Sequence, residues 1–302
     1  MRIVQFVLAG FGARVGRLEG DRVVDVTNES QGLRTTLDLV QWADRQHADL
    51  LSAIDRLAGT NGTSYPLSWF DHEPASSSSY LEIPLAAPEV WGCGVTYRKS
   101  AEFRDEETSS GRGIYDYVYS GSRPEIFFKA TAARCVGPRG PISIRSDSAF
   151  TAPEPELALI VDSRGGILGY TVADDVSAWD IERENPLYLP QSKVFDGCCA
   201  LGPALVTPDE VPDPYDLTVI GRILRDGAPI FEDRVHTSRI KRRLDELVDY
   251  LRRNNSIPAG TVVLTGTGVI VSVEHALRDG DIVEVEIPGL GIIRNRAQKL
   301  MA

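Results

Sequence analysis

The feature that most constrains the fold is a pair of strand-like runs in the middle of the chain, ELALIVD and ILGYTVAD, which are separated by residues Ser163–Gly166. Both runs are rich in β-branched and apolar residues, and the segment between them has the composition of a four-residue hairpin turn. The sequence therefore predicts an antiparallel hairpin. We expect Asp162 and Ile167 to pair across the turn, and this pairing sets the register of the two strands.

Three acidic residues interrupt this apolar hairpin at positions that should converge. Glu154 and Glu156 are two residues apart, so they point to the same face of a strand, and the expected register places Glu154 opposite Asp175. Because their charges repel and their neighbours are apolar, these carboxylates must either take up protons or bind a cation. Ligands that are all oxygen favour a hard divalent ion such as Mg²⁺, Mn²⁺ or Ca²⁺ over zinc. The spacing leaves open the alternative of a solvated acidic face.

The rest of the chain divides into two parts by pattern. Residues 1–75 mix strand-like runs, IVQFVLA and RVVDVT, with apolar residues at helical spacing over residues 35–57, which predicts a small N-terminal α/β domain. Residues 58–80 are rich in Gly, Ser, Pro and Thr and are the best candidate for a linker. Residues 76–302 hold many short β-branched runs between Pro and Gly turns, as in a sandwich or roll. We expect an α+β protein.

Two helical stretches interrupt the β-rich part. Residues Ser100–Glu107 are charged and predict a helix on a mobile loop. Residues Ser238–Arg253 predict an amphipathic helix, because their apolar residues recur at helical spacing and a Pro-Ala-Gly segment follows the end.

Composition and charge exclude several classes of function. The formal net charge is −11, from 43 acidic and 32 basic residues, which argues against nucleic acid as a partner but permits a small anionic substrate. The cysteines form no CxxC pair and the histidines no metal-binding spacing. No apolar run approaches the ~20 residues that cross a bilayer, and the N-terminus resembles a first strand rather than a signal peptide. The expectation is a soluble cytoplasmic protein without a nucleic-acid or membrane partner.

Five stretches in order resemble the fumarylacetoacetate hydrolase (FAH) superfamily: WGCGVTY, then ExE with GYTVADDVSAxD, SKVFDGCCALGP, LTGTG and LRDGDIVEVEIPGLGIIRNR. The resemblance runs from Leu81 to the C-terminus and implies an FAH-like β-rich catalytic domain. It implies that Glu154, Glu156 and Asp175 bind the metal. It also implies a homodimer.

Further roles follow from the same resemblance. Lys193 matches a lysine near the substrate, and Thr267 matches a threonine that can hydrogen-bond the substrate. Relatives commonly carry arginine where this chain has Trp179, so we expect the substrate to be held differently. The candidate substrate contacts are Thr267, Trp179 and Ser100. By residue type alone, Lys193 would be a surface lysine and Thr267 a turn residue.

The opening strand departs from the hydrolase branches in a way that bears on the reaction. Those branches continue this strand with a His–Glu pair that activates water, whereas this chain has Ser100 and Phe103 at the two positions. Serine does not titrate near neutral pH, so Ser100 cannot replace histidine as a general base. Hydrolysis by that pair is therefore not expected.

Other stretches, TYRKSAEFRDEETS, RPEIFFKAT and ENPLYLPQSKVFDG, resemble the branch that dehydrates 2-keto-3-deoxy pentonates. The resemblance implies a Mg²⁺-dependent lyase that forms 2,5-dioxopentanoate, because a chelating metal acidifies the C3 protons of a 2-keto acid. The candidate catalytic residues are Lys193, Glu182, Lys129 and Glu106, with Glu107 beside the last of these. The identity of the base stays open.

Two alternatives remain at this point. One is hydrolysis or decarboxylation of an acylpyruvate-like diketo acid, with Glu102 or another glutamate of the Ser100–Glu107 helix in place of the His–Glu pair. The other is a degenerate, non-enzymatic member that binds a keto acid, which only Trp179 favours and the intact ligand trio opposes.

Overall fold

The computed structural model describes residues 1–59, 62–107 and 113–301. The N-terminal part contains four strands and two helices: β1 (Arg2–Leu8), β2 (Gly12–Glu19), β3 (Arg22–Asp25), α1 (Thr36–Gln46), α2 (Leu50–Leu57) and β4 (Ser64–Pro66). Helix α1 begins where Thr35 and Asp38 form a reciprocal capping box, and Asp49 caps α2. The strands and helices expected over residues 1–57 are thus present.

The remaining elements are mostly strands, with short helices between some of them. In chain order they are β5 (Tyr80–Leu81), β6 (Val90–Gly94), α3 (Arg98–Glu107), α4 (Ile114–Ser120), β7 (Glu125–Ala130), β8 (Cys135–Val136), β9 (Ile142–Ile144), β10 (Thr151–Ala152), β11 (Pro155–Val161), β12 (Ile167–Asp175), β13 (Ser177–Ala178), α5 (Trp179–Glu184), α6 (Leu189–Lys193), β14 (Cys199–Val206), β15 (Thr218–Arg225), β16 (Ala228–His236), α7 (Leu244–Arg252), β17 (Thr261–Leu264), β18 (Ile282–Ile287) and β19 (Gly291–Lys299).

These strands form two large sheets and one small one, which confirms the expected α+β class. The largest sheet runs in the order β4-β3-β2-β1-β14-β12-β11-β17-β6-β7, with β5 on β1 and β8 on β14. A second sheet has the order β16-β15-β18-β19-β9, and β10 pairs with β13. The strands at the middle of the large sheet are buried on both faces, and β11 carries no exposed residue.

The N-terminal part and the β-rich part share this large sheet, because β1 pairs antiparallel with β14. The expected linker over residues 58–80 is more structured than its composition indicates: it contributes β4 and a 3-10 turn, Leu67–Phe70, in which Phe70 is buried. The division into residues 1–75 and 76–302 stays a prediction about folding units.

The hairpin of β11 and β12 has the expected register over most of its length. Glu156 pairs with Ala173 and Pro155 with Asp174, and the amide of Asp175 donates to the carbonyl of Glu154. The pairing predicted at the turn is wrong, because Val161 rather than Asp162 lies opposite Ile167. An irregularity beside Ile160 absorbs one residue of β12 and restores the register farther along.

The predicted helix over residues 238–253 is shorter than expected. Residues 237–239 form a 3-10 turn, and α7 begins only at Leu244. The backbone between them forms a hydrogen bond outside the helix, because the amide of Lys241 donates to the carbonyl of Thr96. Among the described residues, no helix is both long enough and apolar enough to cross a membrane.

Candidate metal centre and active site

Glu154, Glu156 and Asp175 converge at the start of the β11–β12 hairpin. One carboxylate oxygen from each lies within 4.8 Å of the other two, and all three residues are buried. The convergence follows from the register, because Glu154 and Glu156 share one face and Asp175 ends the neighbouring strand opposite Glu154. Three oxygen donors at this spacing suit a hard divalent cation.

The electrostatics of the cluster also fit a cation. Burial raises the pKa of Glu156 well above its usual value, and the charges of Asp175 and Glu154 add to the effect. Burial alone would raise the pKa of Asp175 as well, but the ammonium groups of Lys129 and Lys193 outweigh it and hold that pKa low. Lys193 pairs with Glu154 and Asp175, whereas Glu156 has no ion pair among the described residues, so a bound divalent ion would compensate its charge.

The two lysines predicted near the site are both buried and both contact the ligand set. The Lys193 ammonium group donates to Glu154 Oε2 at 2.9 Å, Asp175 Oδ2 at 3.0 Å and Ser177 Oγ at 2.6 Å. Burial disfavours its charged form, but Asp175 and Glu154 outweigh burial and raise the pKa of Lys193. In this arrangement Lys193 is a cation, which suits charge stabilisation or proton donation rather than proton abstraction.

Lys129 lies behind Asp175. Its Nζ is 2.6 Å from Asp175 Oδ1 and donates to the carbonyls of Val176 at 2.8 Å and Lys193 at 2.6 Å. With its donors occupied in this way, Lys129 holds Asp175 and the chain around it and does not line the cavity beside the carboxylates.

The loop after β17 orients the second metal ligand. The amide of Gly266 donates to Glu156 Oε2 at 2.6 Å. The hydroxyls of Thr265 and Thr267 donate to the carbonyls of Leu157 and Pro155, both at 2.8 Å. Thr267, predicted to contact substrate, therefore also fastens this loop to the strand that carries Glu156.

Gly266 cannot be replaced without disturbing this loop, so we expect Gly266→Ala to lower kcat/KM by about 10²-fold. Its φ is +91°, and a Cβ there would lie 2.0 Å from Thr96 Oγ1 and 2.8 Å from the Cys93 carbonyl oxygen. Steady-state kinetics with a Mg²⁺ titration measure the effect. Gly227→Ala is the matched control, because it has a positive φ of +79° but no atom near its Cβ. If Gly266→Ala reached half its maximal rate at the same Mg²⁺ concentration as the unaltered protein, the loop would not orient Glu156 for metal binding.

Helix α3 covers the cluster and brings an arginine that the sequence analysis missed. The guanidinium of Arg104, buried at 3% exposure, donates to Glu182 Oε1 at 2.6 Å and lies 3.5 Å from Glu154 Oε1. Ser100, also on α3, is buried and lines the same cavity. Arg104 directly follows Phe103, the position of the missing glutamate, but nothing in its local spacing separates it from the exposed charges of the same helix.

The other candidates on α3 are not brought to the cluster. Glu106 is exposed. Glu102 is exposed and pairs with Arg98. The side chain of Glu107 lies outside the described residues. Trp179, a candidate substrate contact, is buried at 4% exposure beneath α3 and stacks against Arg104.

Glu182 converges on the site, together with a second glutamate that the sequence analysis missed. Glu125 begins β7 opposite Gly94, which leaves space that a Cβ would fill. Glu125 and Glu182 line one small cavity, and each has a buried Oε2 without a hydrogen-bond partner among the described residues. Burial raises the pKa of Glu125. A signal for Glu125 existed in the facing glycine, but strand pairing had to be known to use it.

The carboxylate cluster, Lys193 and Arg104 border a separate small cavity at one end of the large sheet's central strands. Its lining includes Glu154, Asp175, Lys193, Arg104, Ser100 and Thr267. No histidine belongs to the described lining, in keeping with Ser100 at the position of the hydrolase histidine. The side chains that line this cavity nearly fill it.

Fold and site together define an α+β protein with a buried, all-oxygen site for a cation at one end of the central strands of its large sheet. Residues 90–298 match the model of the fumarylacetoacetate (FAA) hydrolase C-terminal family. The chain belongs to the fumarylacetoacetate hydrolase family, as its motifs predicted.

Named relatives are similar over most of the chain. A 2-dehydro-3-deoxy-D-arabinonate dehydratase of Saccharolobus solfataricus is 49% identical over 219 residues, which are 72% of this chain and 74% of that protein. A probable 2-keto-3-deoxyxylonate dehydratase of Haloferax volcanii is 42% identical over 271 residues, 90% of each chain. A solved structure of 2-keto-3-deoxy-D-arabinonate dehydratase complexed with magnesium and 2,5-dioxopentanoate superposes with a TM-score of 0.85, at 35% identity and full coverage of both chains.

Proposed function

We propose that this protein is a Mg²⁺-dependent dehydratase that converts a 2-keto-3-deoxy pentonate to 2,5-dioxopentanoate. The observation that carries the proposal is the buried trio of Glu154, Glu156 and Asp175 beside a cavity whose described lining has no histidine. The names of the two similar dehydratases, and the magnesium and product in the superposed structure, support the same reaction.

The reaction removes a proton from C3 and the hydroxyl group from C4, and tautomerisation after the loss of water leaves an aldehyde at C5. Glu154, Glu156 and Asp175 would hold the cation, with Mn²⁺ or Ca²⁺ as alternatives to Mg²⁺. When bound, the cation polarises the 2-keto acid and so lowers the pKa of the C3 protons.

The chain's own groups divide the remaining work by charge. Lys193 is held as an ammonium group at the carboxylate cluster, where it stabilises negative charge that develops on the substrate. Glu182 and Glu125 line the neighbouring cavity, and each has a buried Oε2 without a hydrogen-bond partner among the described residues, which makes both candidates for proton exchange with the substrate. Because burial raises the pKa of Glu125, we assign this residue as the proton donor to the departing C4 hydroxyl. Glu182, whose Oε1 accepts a hydrogen bond from Arg104, is then the acceptor from C3.

The geometry favours this reaction over the alternatives. Hydrolysis of a diketo acid needs a group that activates water, and Glu102, proposed for that role, has a side chain 61% exposed and paired with Arg98. A degenerate member would not be expected to keep three converging carboxylates with two buried lysines. Thr267 and Ser100 remain candidate substrate contacts, since both line the cavity.

The test is turnover of 2-keto-3-deoxy-arabinonate and 2-keto-3-deoxy-xylonate by purified protein, with 2,5-dioxopentanoate as the measured product. We expect product with Mg²⁺, a loss of at least about a hundredfold in rate with EDTA, and recovery when Mg²⁺ is restored. An acylpyruvate assayed in parallel separates the hydrolase alternative. Cleavage of the acylpyruvate with no product from either sugar acid would overturn the proposal.

We also propose that the enzyme acts as a homodimer in the cytoplasm. The family to which the chain belongs supports this proposal. The net charge of −11 is also typical of an enzyme that acts on small molecules rather than of a protein that binds nucleic acid. Analytical ultracentrifugation of the purified protein tests the dimer, and fractionation of producing cells tests the location.

A further inference from the structure

A buried cation on α3, Arg104, contacts the acidic residues of the active site. Arg104 is 3% exposed, whereas Arg98 on the same helix has a side chain that is 57% exposed. Among the described groups, the partners of the Arg104 guanidinium are acidic: Glu182 Oε1 at 2.6 Å and, more distantly, Glu154 Oε1 at 3.5 Å. A buried cation is retained where its charge is used, because removing it from water is costly.

Aromatic rings fix the direction in which this cation points. The guanidinium carbon lies 4.7 Å from the centre of the Trp179 ring and 5.7 Å from that of Tyr115. Phe103 adds an edge-to-face contact with Trp179 at 5.5 Å. Trp179 thus supports Arg104 from one side.

The bond to Arg104 occupies one oxygen of Glu182 and leaves the other open. Glu182 Oε1 accepts from Arg104, while Oε2 is buried, has no hydrogen-bond partner among the described residues and belongs to a side chain that lines the cavity shared with Glu125. A carboxylate held through one oxygen presents the other in one orientation, which general acid–base chemistry requires.

We propose that Arg104 is a positioning residue: stacked on Trp179, it orients Glu182 and thereby couples the packing of α3 to the catalytic arrangement. The inference rests on the proposed function for the role of Glu182, but the contacts between Arg104, Trp179 and Glu182 do not depend on it. Trp179 is then the support of Arg104 and not a contact of the substrate.

A double-mutant cycle tests whether Arg104 acts through Glu182. We expect Arg104→Met and Glu182→Gln each to lower kcat by about 10²-fold, with KM changed by less than about threefold. The double variant should be no slower than Glu182→Gln, because glutamine at this position cannot exchange the proton however well it is oriented. Arg104→Lys should recover part of kcat. Multiplicative losses in the double variant would overturn the inference.

A second measurement needs no turnover. Acrylamide quenching of tryptophan fluorescence, compared with Trp179→Phe to isolate the Trp179 signal, reports how well α3 covers that ring. We expect Arg104→Met to increase the quenching of Trp179, and Arg98→Met, an exposed arginine of the same helix, to leave it unchanged. Quenching in Arg104→Met equal to that of the unaltered protein would overturn the inference. Failure of the unaltered protein to dehydrate either sugar acid would instead overturn the proposed function and leave this measurement to decide on Arg104.

Discussion

Replacing Glu156 by glutamine is expected to lower kcat/KM by about 10³-fold and to weaken Mg²⁺ binding, while the metal-free protein becomes more stable. The amide oxygen of the new side chain would still accept a hydrogen bond from the Gly266 amide, but the side chain supplies no charge to the cation. The loss of activity then has a single chemical cause.

The gain in stability follows from the sign of the pKa shift. The pKa of Glu156 is raised in the folded protein, by burial first and then by Asp175 and Glu154, so its contribution to stability is present below the unfolded pKa and is lost as the pH rises through the folded pKa. Glutamine resembles the protonated side chain at every pH. At neutral pH in EDTA, Glu156→Gln should therefore have the higher midpoint of thermal unfolding.

Thermal unfolding with and without Mg²⁺, beside calorimetric titration with Mg²⁺, measures both effects on one preparation. Mg²⁺ should raise the midpoint of the unaltered protein and have little effect on Glu156→Gln. Glu19→Gln is the control, because Glu19 is an exposed glutamate on β2 that pairs only with Arg17 among the described residues. A Glu156→Gln protein that binds Mg²⁺ as tightly as the unaltered chain would remove Glu156 from the ligand set.

The carboxylate cluster could be predicted because it depends on local pattern. Strand alternation places Glu154 and Glu156 on one face, and a short turn carries that register to Asp175. The same reasoning failed at the turn, where Val161 pairs with Ile167, because an irregularity of one residue leaves no mark on the alternation of apolar side chains. The error did not spread, since the burial of β11 and β12 on both faces holds the register beyond the turn.

Arg104 and Glu125 could not be predicted, because their roles depend on contacts between elements distant in the chain. Arg104 is one of several charged residues on α3, and only the packing of α3 over Trp179 separates it from Arg98 or Glu106. Glu125 faces Gly94 across the pair of β6 and β7, and the sequence pattern does not predict which strands pair. The late start of α7 has the same origin, since the backbone before Leu244 bonds to Thr96. Tertiary contacts override local propensity at each of these places.

The sequence predicted Lys129 as a catalytic candidate. Its contacts indicate that it supports the site, so replacing it should lower the free energy of unfolding. Burial disfavours its charge, yet Asp175 outweighs burial and raises the pKa of Lys129. The ammonium group therefore stays charged, and it bonds two backbone carbonyls besides Asp175. Because one of those carbonyls belongs to Lys193, the two lysines share a common scaffold around the carboxylates.

We expect Lys129→Met to lower the free energy of unfolding by about 3–5 kcal/mol, because it leaves Asp175 short of one counter-charge and two buried carbonyls without a donor. Urea denaturation in EDTA measures the change. Lys99→Met is the control, because Lys99 is exposed and its pair with Asp233 should contribute about 1 kcal/mol or less. Asp175→Asn added to Lys129→Met should recover part of the loss by removing the uncompensated charge. If Lys129→Met were as stable as Lys99→Met, Asp175 would be held by Lys193 alone, and Lys129 would again be free for the catalytic role that its sequence position indicated.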